Sequence, residues 1–518
     1  MPKWLDTAVF YEIYPQSFQD TNADGIGDIP GIIRRLDYIR ELGCNALWLN
    51  PCFESPFNDA GYDVADYKKV APRYGTNDDL VRLFTEAHKR NMRVILDLVP
   101  GHTSSAHPWF RESMKPEPNE YSHRYIWTDS IWKDVENVSS VSGSLRGISS
   151  RDGSCALNFF TSQPALNYGF AHPSEPWQLP ADSPEALATR EAMKDVMRFW
   201  LGLGCDGFRV DMAFSLVKND PEQKKTIELW QDFRHFLDTD YPDAAFLSEW
   251  GDPAKALLAG FHMDFLLHVG PSHYPELFRT ENPYFSHKGT GDASKFVAYY
   301  EQARKTSGGK GLICIPSGNH DMCRIARHLD IQERKRAFAF LLSMPGAPFI
   351  YYGDEIGLRH VENLVSVEGG YDRTGARTPM QWDTSPNAGF STAAPEKLYI
   401  RQDSSPDRPV AEKERAKADS LYAEVRRLIA LRLEHEPLQN NADIKFLSGH
   451  EKGSPLVYLR SGVSGKILCA FNPSPKAATV KTPALSPQAT LYQQGDAATL
   501  SGGILSLPAG SATFIQVD

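Results

Sequence analysis

Short, unbroken apolar runs alternate with stretches whose apolar residues recur every three or four positions, and the alternation extends over most of the chain. Residues 9–14, β-branched and aromatic, predict a strand. Ile29, Ile32, Ile33, Leu36, Ile39 and Leu42 then recur at helical spacing, with Gly43 as a stop. Residues 46–49 predict the next strand, 80–87 a helix with Asn77 available as a cap, and 94–98 a third strand. Further strands are expected at 207–210, 245–247, 264–267, 312–315 and 348–351. Runs that are apolar on both faces suit parallel strands covered on each side. Eight of them, most separated by helical patterns, predict an α/β protein, a closed (β/α)8 barrel of the TIM type.

Two intervals break the rhythm. Residues 102–168 are rich in Ser, Gly, Pro and aromatics and show no clear helix. Inserted after the third strand, at the carboxyl end of the barrel, they are expected to shape the site. After the helical stretch 420–434 the texture changes. From Lys445 onward, alternating runs such as 456–459 and 466–471 are separated by Gly, Ser and Pro, which predicts a small antiparallel β-domain. The expected division is 1–101 with 169–440 as the barrel, 102–168 as an inserted domain, and 441–518 as a C-terminal β-sandwich. There is no internal repeat.

Composition narrows the partners. The 518 residues, 41% hydrophobic and 23% charged, are those of an ordinary soluble protein, long enough for two or three domains. A net charge of −10 argues against nucleic acid or an anionic membrane as partner. The seven cysteines are odd in number and scattered, with no C-x-x-C pair, so buried thiols are expected rather than a zinc or redox site. Residues 1–10 lack the basic segment and apolar core of a signal peptide. The longest apolar candidate, 337–352, is broken by Ser343, Pro345 and Gly346 and falls short of the roughly eighteen residues a span needs. A cytoplasmic, soluble enzyme acting on small molecules is the expectation.

Barrel enzymes carry catalytic groups where strands end at the carboxyl face. Asp211, Glu249 and Asp321 each follow a predicted strand in that way. Glycoside cleavage needs one protonated carboxylic acid to assist the leaving oxygen and a second carboxylate to attack, or to activate water at, the anomeric carbon. Arg209, two residues before Asp211, projects from the same strand face and can keep it ionised. His102 and His320, at other strand ends, are candidates for hydrogen bonds to sugar hydroxyls. Separately, Asp20-Thr21-Asn22-Ala23-Asp24-Gly25-Ile26-Gly27-Asp28 sets oxygens at alternate positions with glycines for tight turning, which suits calcium. Its ligands would be Asp20, Asn22, Asp24, the Ile26 carbonyl and Asp28. Gly31 stands where an EF-hand needs Glu, so the loop is not one.

These residues lie in segments that resemble the α-amylase superfamily, closest to its oligo-1,6-glucosidase and α-glucosidase branch. The segments are Gly61-Tyr62-Asp63-Val64-Ala65-Asp66-Tyr67, Asp97-Leu98-Val99-Pro100-Gly101-His102, Gly207-Phe208-Arg209-Val210-Asp211, Ser248-Glu249, Asn319-His320-Asp321 and Ala376-Arg377-Thr378-Pro379-Met380-Gln381-Trp382, in family order. The resemblance implies Asp211 as nucleophile of a covalent glucosyl-enzyme, Glu249 as acid/base, and Asp321 as binder of ring hydroxyls. It implies Tyr62 stacked on the glucose ring, His102 and His320 on its hydroxyls, and Asp63 with Arg377 gripping the non-reducing end. It also implies a structural calcium in the 20–28 loop and no organic cofactor. The expected activity is exo-acting hydrolysis of short α-glucosides. A glucosyltransferase or isomerase of the sucrose isomerase or trehalose synthase type is the alternative, with an endo-amylase or an inactive scaffold further behind.

The chain departs from the pattern in four places. Pro100-Gly101 stands where the family commonly has an apolar residue and Asn, so no calcium is expected there. Ala165 stands where this branch often has Asp. Met212 is neither the Val linked with α-1,6 preference nor the small residue linked with α-1,4. Trp250 follows the acid/base. Linkage specificity stays open at this point.

Overall fold

The computed structural model describes residues 1–135 and 138–518. All eight expected strands are present: β1 (Phe10–Ile13), β2 (Ala46–Leu49), β3 (Arg93–Leu98), β4 (Gly207–Val210), β5 (Ala245–Ser248), β6 (Met263–Phe265), β7 (Leu312–Cys314) and β8 (Phe349–Tyr351). They pair in the order β7-β6-β5-β4-β3-β2-β1-β8, each ladder parallel. The two ends meet just past β7, where Pro316 bridges Phe349 and the Ser317 N–H donates to the Phe349 carbonyl at 2.8 Å, giving a nearly closed barrel. Apart from Arg93, every residue of these strands is buried, which is why they read as continuous apolar runs rather than alternating ones. The register sets Arg209 beside Asp97, and Ser248 beside Asp264.

Helix α1 (Ile29–Leu42) starts on Asp28, whose carboxylate accepts the Gly31 N–H, and stops at Gly43 with φ 108. A Cβ at Gly43 would lie 2.7 Å from Ile429, so both backbone and packing require glycine. Helix α2 (Asn77–His88) is capped one residue earlier than expected. Thr76 and Asp79 form a reciprocal capping box, while Asn77 bonds Lys68 and Val70 instead. Further helices of the barrel include α3 (Pro184–Gly202), α4 (Lys224–Asp240), α5 (Pro253–Leu258), α6 (Ser294–Thr306), α7 (Ile331–Ser343) and α8 (Leu421–Glu434).

Between β3 and α3 lies the interval expected to lack helix. It contains one, Pro108–Ser113, too short for a periodic signal and started by His107 Nδ1 accepting the Trp109 N–H. A ribbon of Gly143–Leu145 with Cys155–Leu157 follows, and Ile126, Val135, Ala156, Ala165 and Phe170 form a small separate core.

Past α8 the strands become antiparallel. Asp443–Ser448, Leu456–Gly462, Gly465–Asn472, Ser511–Val517 and Pro487–Gln494 form a five-stranded sheet in that order, and Ala478–Lys481, Ile504–Leu507 and Thr499–Ser501 a three-stranded one. Val457, Leu468 and Ile515 of the first sheet share a core with Val480, Leu500 and Leu505 of the second. The first sheet also packs on α7, where Phe340 meets the rings of Tyr458 and Phe471 at 6.4 and 5.9 Å. Truncating such a ring costs about 3–5 kcal/mol. Two fully buried arginines complete this junction. Arg432 bonds the carbonyls of Leu342, Met344 and Gly346, and Arg460 those of Ser343 and Gln439. They satisfy the orphan carbonyls at the end of α7 and in the turn that follows it. Among the described residues no helix is long and apolar enough to cross a membrane, and all seven cysteines are free.

Candidate active site

The ends of β4 and β5 and the loop after β7 bring Asp211, Glu249 and Asp321 to one cavity of about 470 Å³, walled also by Asp59, Tyr62, His102 and Arg373. Phe159, Met212, Phe214, Trp250, Val269 and Pro271 line it as well. Phe159 and Val269 are nearly half exposed and mark its rim.

Arg209 organises the floor. Its side chain, 1% exposed, bonds Asp97 at 2.6 Å, Asp211 at 3.0 Å and Glu249 at 2.9 Å. Asp97 is fixed in turn by Trp48 Nε1 at 2.9 Å and the Tyr62 hydroxyl at 3.1 Å, and burial pushes its carboxyl up to about 6 against the pull of Arg209. Burial and the charge of Glu249 raise Asp211 well above its ordinary value, with Arg209 opposing them. One guanidinium thus answers three carboxylates, those of Asp97, Asp211 and Glu249. Met212, at φ 41, is left-handed, and its N–H donates to Glu249 Oε2 at 3.1 Å. A β-branched residue there would be a greater strain than methionine is.

Asp321 is set differently. Burial works to raise it, but His320 and the guanidinium groups of Arg373, Arg377 and Arg209 outweigh that and hold it far below the usual carboxylate range. Arg373 bonds its Oδ1 at 2.5 Å and Arg377 at 3.1 Å. His320, stacked on Tyr62 at 5.2 Å, faces Asp321 with Nε2 at 3.3 Å and Glu12 with Nδ1 at 2.9 Å.

Several expected placements are corrected. Asp63 does not face the cavity, because its carboxylate is consumed within its own turn by Ser55 Oγ and the N–H groups of Asn58 and Asp59. The acid from this turn that lines the cavity is Asp59, bonded to Gln163 at 2.8 Å and pushed up to about 6 by burial. Arg377 is 1% exposed and lies behind Asp321, bonding also the His320 carbonyl; the arginine on the cavity wall is Arg373. Arg209 and His320, both 1% exposed, sit beneath the wall residues and act on them. His102 lines the cavity, but both its nitrogens have protein partners, the Tyr62 carbonyl and Asn158, each at 3.1 Å. Burial pushes it down to about 4, so it is neutral.

Behind His102, the Lys218 ammonium is buried and bonds Asn158 Oδ1 at 3.2 Å and the carbonyls of Ser140 and Ser215. A Cβ at Gly101 would lie 2.6 Å from Asn158 Nδ2, so glycine leaves room for this Lys218–Asn158–His102 relay of contacts. Ala165 is fully buried in the small core of the insertion.

In the 20–28 loop, Asp20 accepts from Asn22, Ala23 and Gly25 N–H groups, Asn22 from Asp24, Asp24 from Ile26, and Asp28 from Thr21 and Gly31. Burial, with the charge of Asp20 adding to it, raises Asp28. The three loop carboxylates do not draw together within 4.8 Å of one another; among the described residues His287, Asp330 and Glu333 are the group that does.

A nearly closed barrel with three acidic side chains at its strand ends, two of them sharing an arginine, has the make-up of a glycoside hydrolase or transglycosylase. The chain belongs to the α-amylase family: the family model described as Alpha amylase, catalytic domain, matches residues 12–441. It is 33% identical to the trehalose synthase/amylase of Mycobacterium tuberculosis over 91% of this chain and 82% of that protein. It is 32% identical to a probable alpha-glucosidase of Rhizobium meliloti over 99% and 97%. A MutB mutant solved in complex with its substrate sucrose superposes with a TM-score of 0.79 at 25% identity, covering both chains in full. The protein is thus an α-amylase-family glucosidase or glucosyltransferase.

Proposed function

We propose that the protein is a retaining, exo-acting α-glucosidase that hydrolyses short α-glucosides through a covalent glucosyl-enzyme. The observation that carries this reading is the tether of Asp211 and Glu249 to one guanidinium on the wall of one cavity. Asp211 attacks the anomeric carbon while Glu249 gives its proton to the leaving oxygen, so the C1–O bond breaks as a C1–Asp211 ester forms. Glu249 then takes a proton from water, which attacks C1 as the C1–Asp211 ester bond breaks, freeing the Asp211 carboxylate and releasing glucose with its configuration retained. Asp321, kept ionised by its arginines, binds ring hydroxyls and offsets the positive charge that develops on the ring. Tyr62 presents its ring to the sugar. Asp59 and Arg373, in place of Asp63 and Arg377, supply the grip on the non-reducing end.

Incubation with maltose, isomaltose, kojibiose, nigerose, sucrose, trehalose and starch, with products separated over time, tests this. Early free glucose from a disaccharide, with starch untouched, is the expected result. A rearranged disaccharide or longer products with little glucose would replace hydrolysis by the second reading, a glucosyltransferase or isomerase. The similarity to a trehalose synthase/amylase favours that second reading as specifically.

The 20–28 loop is proposed to hold a structural calcium through Asp20, Asn22, Asp24, the Ile26 carbonyl and Asp28. The donor set is all hard oxygen, and a cation there relieves the repulsion between Asp20 and Asp28. Stripping with EGTA is expected to remove about 3 kcal/mol, the effect of a ligand at a hundred times its Kd, and to lower Tm by several degrees. An unchanged Tm would sink the calcium assignment.

A further inference from the structure

Both neighbours of Glu249 are held by a side chain that the mechanism above leaves unused. Asp264 lies on β6 directly across the ladder from Ser248 on β5. It is fully buried between the apolar Met263 and Phe265. Its Oδ1 accepts two hydrogen bonds, from Ser248 Oγ at 2.6 Å and from the Trp250 N–H at 3.0 Å. Its Oδ2 has no partner among the described residues. The Ser248 hydroxyl also lies 3.2 Å from the Met263 carbonyl, a second tie from β5 to β6. Burial, with the charge of Asp252 adding to it, pushes the Asp264 carboxyl up to about 8.

Between Ser248 and Trp250 the chain leaves β5 and delivers the Glu249 side chain to the cavity. The Glu249 peptide is tied toward β4, its N–H donating to the Val210 carbonyl at 2.9 Å and its carbonyl accepting from Ala213 at 3.1 Å. Nothing in those two bonds fixes the turn on the β6 side. Asp264 does so, gripping one residue before and one after.

We propose that Asp264 is a positioning residue for Glu249: its carboxyl clamps Ser248 and Trp250 and thereby sets where the Glu249 carboxyl meets the glycosidic oxygen. The inference rests on Glu249 being the acid/base. Its expected signature depends on the leaving group. A misplaced acid penalises a departing oxygen that needs a proton and spares one that does not, whereas a loss of folded protein lowers every rate by the same factor.

Asp264→Ala, Asp264→Asn and Ser248→Ala are compared with the parent on 4-nitrophenyl and phenyl α-glucosides, whose leaving groups differ in their need for protonation. Asp264→Ala is expected to lower kcat/KM, which reports the step in which the leaving group departs, by about 100-fold on the phenyl glucoside, the scale of a 1 Å misplacement. On the nitrophenyl glucoside its loss stays within about tenfold. Asp264→Asn, which keeps an accepting oxygen and the shape, stays within about threefold on both. Ser248→Ala, which leaves no large hole, shows the same selective loss at about tenfold and carries the test if Asp264→Ala does not fold. Equal losses on both substrates, no loss, or Asn as damaging as Ala would each overturn the proposal. Glu249→Gln in the same assay separates the two levels. If it shows the leaving-group dependence and neither Asp264→Ala nor Ser248→Ala does, only this inference fails. If Glu249→Gln shows none, the acid/base assignment fails and takes this one with it.

Discussion

Asp211→Asn is expected to remove turnover, lowering kcat by on the order of 10⁴-fold or more, about 5.5 kcal/mol of barrier, while leaving the fold intact. The amide has the shape of the carboxylate but cannot form the ester, so the first step has no nucleophile. Arg209 is not orphaned by the change, since its bonds to Asp97 at 2.6 Å and Glu249 at 2.9 Å remain. That matters because a buried guanidinium stripped of all partners would destabilise the barrel and mimic a catalytic loss. Release of nitrophenol from 4-nitrophenyl α-glucoside measures the first effect and a thermal melt the second. A rate within tenfold of the parent would move the nucleophile to another group.

Glu249→Gln is expected to act unevenly. With a disaccharide, whose leaving oxygen must be protonated, kcat/KM falls by about 10²–10⁴-fold. With 4-nitrophenyl α-glucoside the first step is nearly spared, but water is no longer activated for the second. The glucosyl-enzyme then accumulates, and nitrophenol appears as a burst of about one equivalent per active site followed by a slow phase. Stopped-flow absorbance records both. A uniform loss with no burst would deny Glu249 the acid/base role and, with it, the covalent route as drawn.

The barrel is legible because closure buries both faces of each strand, turning eight segments into apolar runs, two of which lead directly into acids. Asp211 and Glu249 were legible for the same reason: a charged residue directly after such a run has the carboxyl face of the barrel as its destination. Turns carry no such period. Asp59 and Asp63 lie four residues apart in one turn, and only the bonds from Ser55, Asn58 and Asp59 decide that Asp63 folds inward on its own backbone while Asp59 reaches the cavity. Arg373 and Arg377 pose the same problem in a 3-10 segment, where the more recognisable arginine is the one behind Asp321. Thr76 rather than Asn77 caps α2 because both are good capping residues and tertiary bonds to Lys68 and Val70 claim the second. Lys218 and Asp264 left no trace beyond being charged residues near apolar ones. Burial in three dimensions, not spacing, is what gives them meaning.

The arginine junction between α7 and the C-terminal strands has a consequence for how the chain is made. Ser343 and Arg460 are 117 residues apart, and Arg336 reaches the Gly510 carbonyl across 174. At about 5–20 residues per second, Ser343 at the end of α7 is added roughly 6–23 s before Arg460. Throughout that interval Phe340 has its barrel neighbours Phe278, Phe285 and Phe296 but lacks Tyr458 and Phe471, and the Ser343 carbonyl lacks Arg460. The last part of the barrel must therefore wait, part-assembled, for strands that belong to a different sheet, and it is in that window, rather than in the finished enzyme, that the chain is most exposed to misassembly and to chaperones.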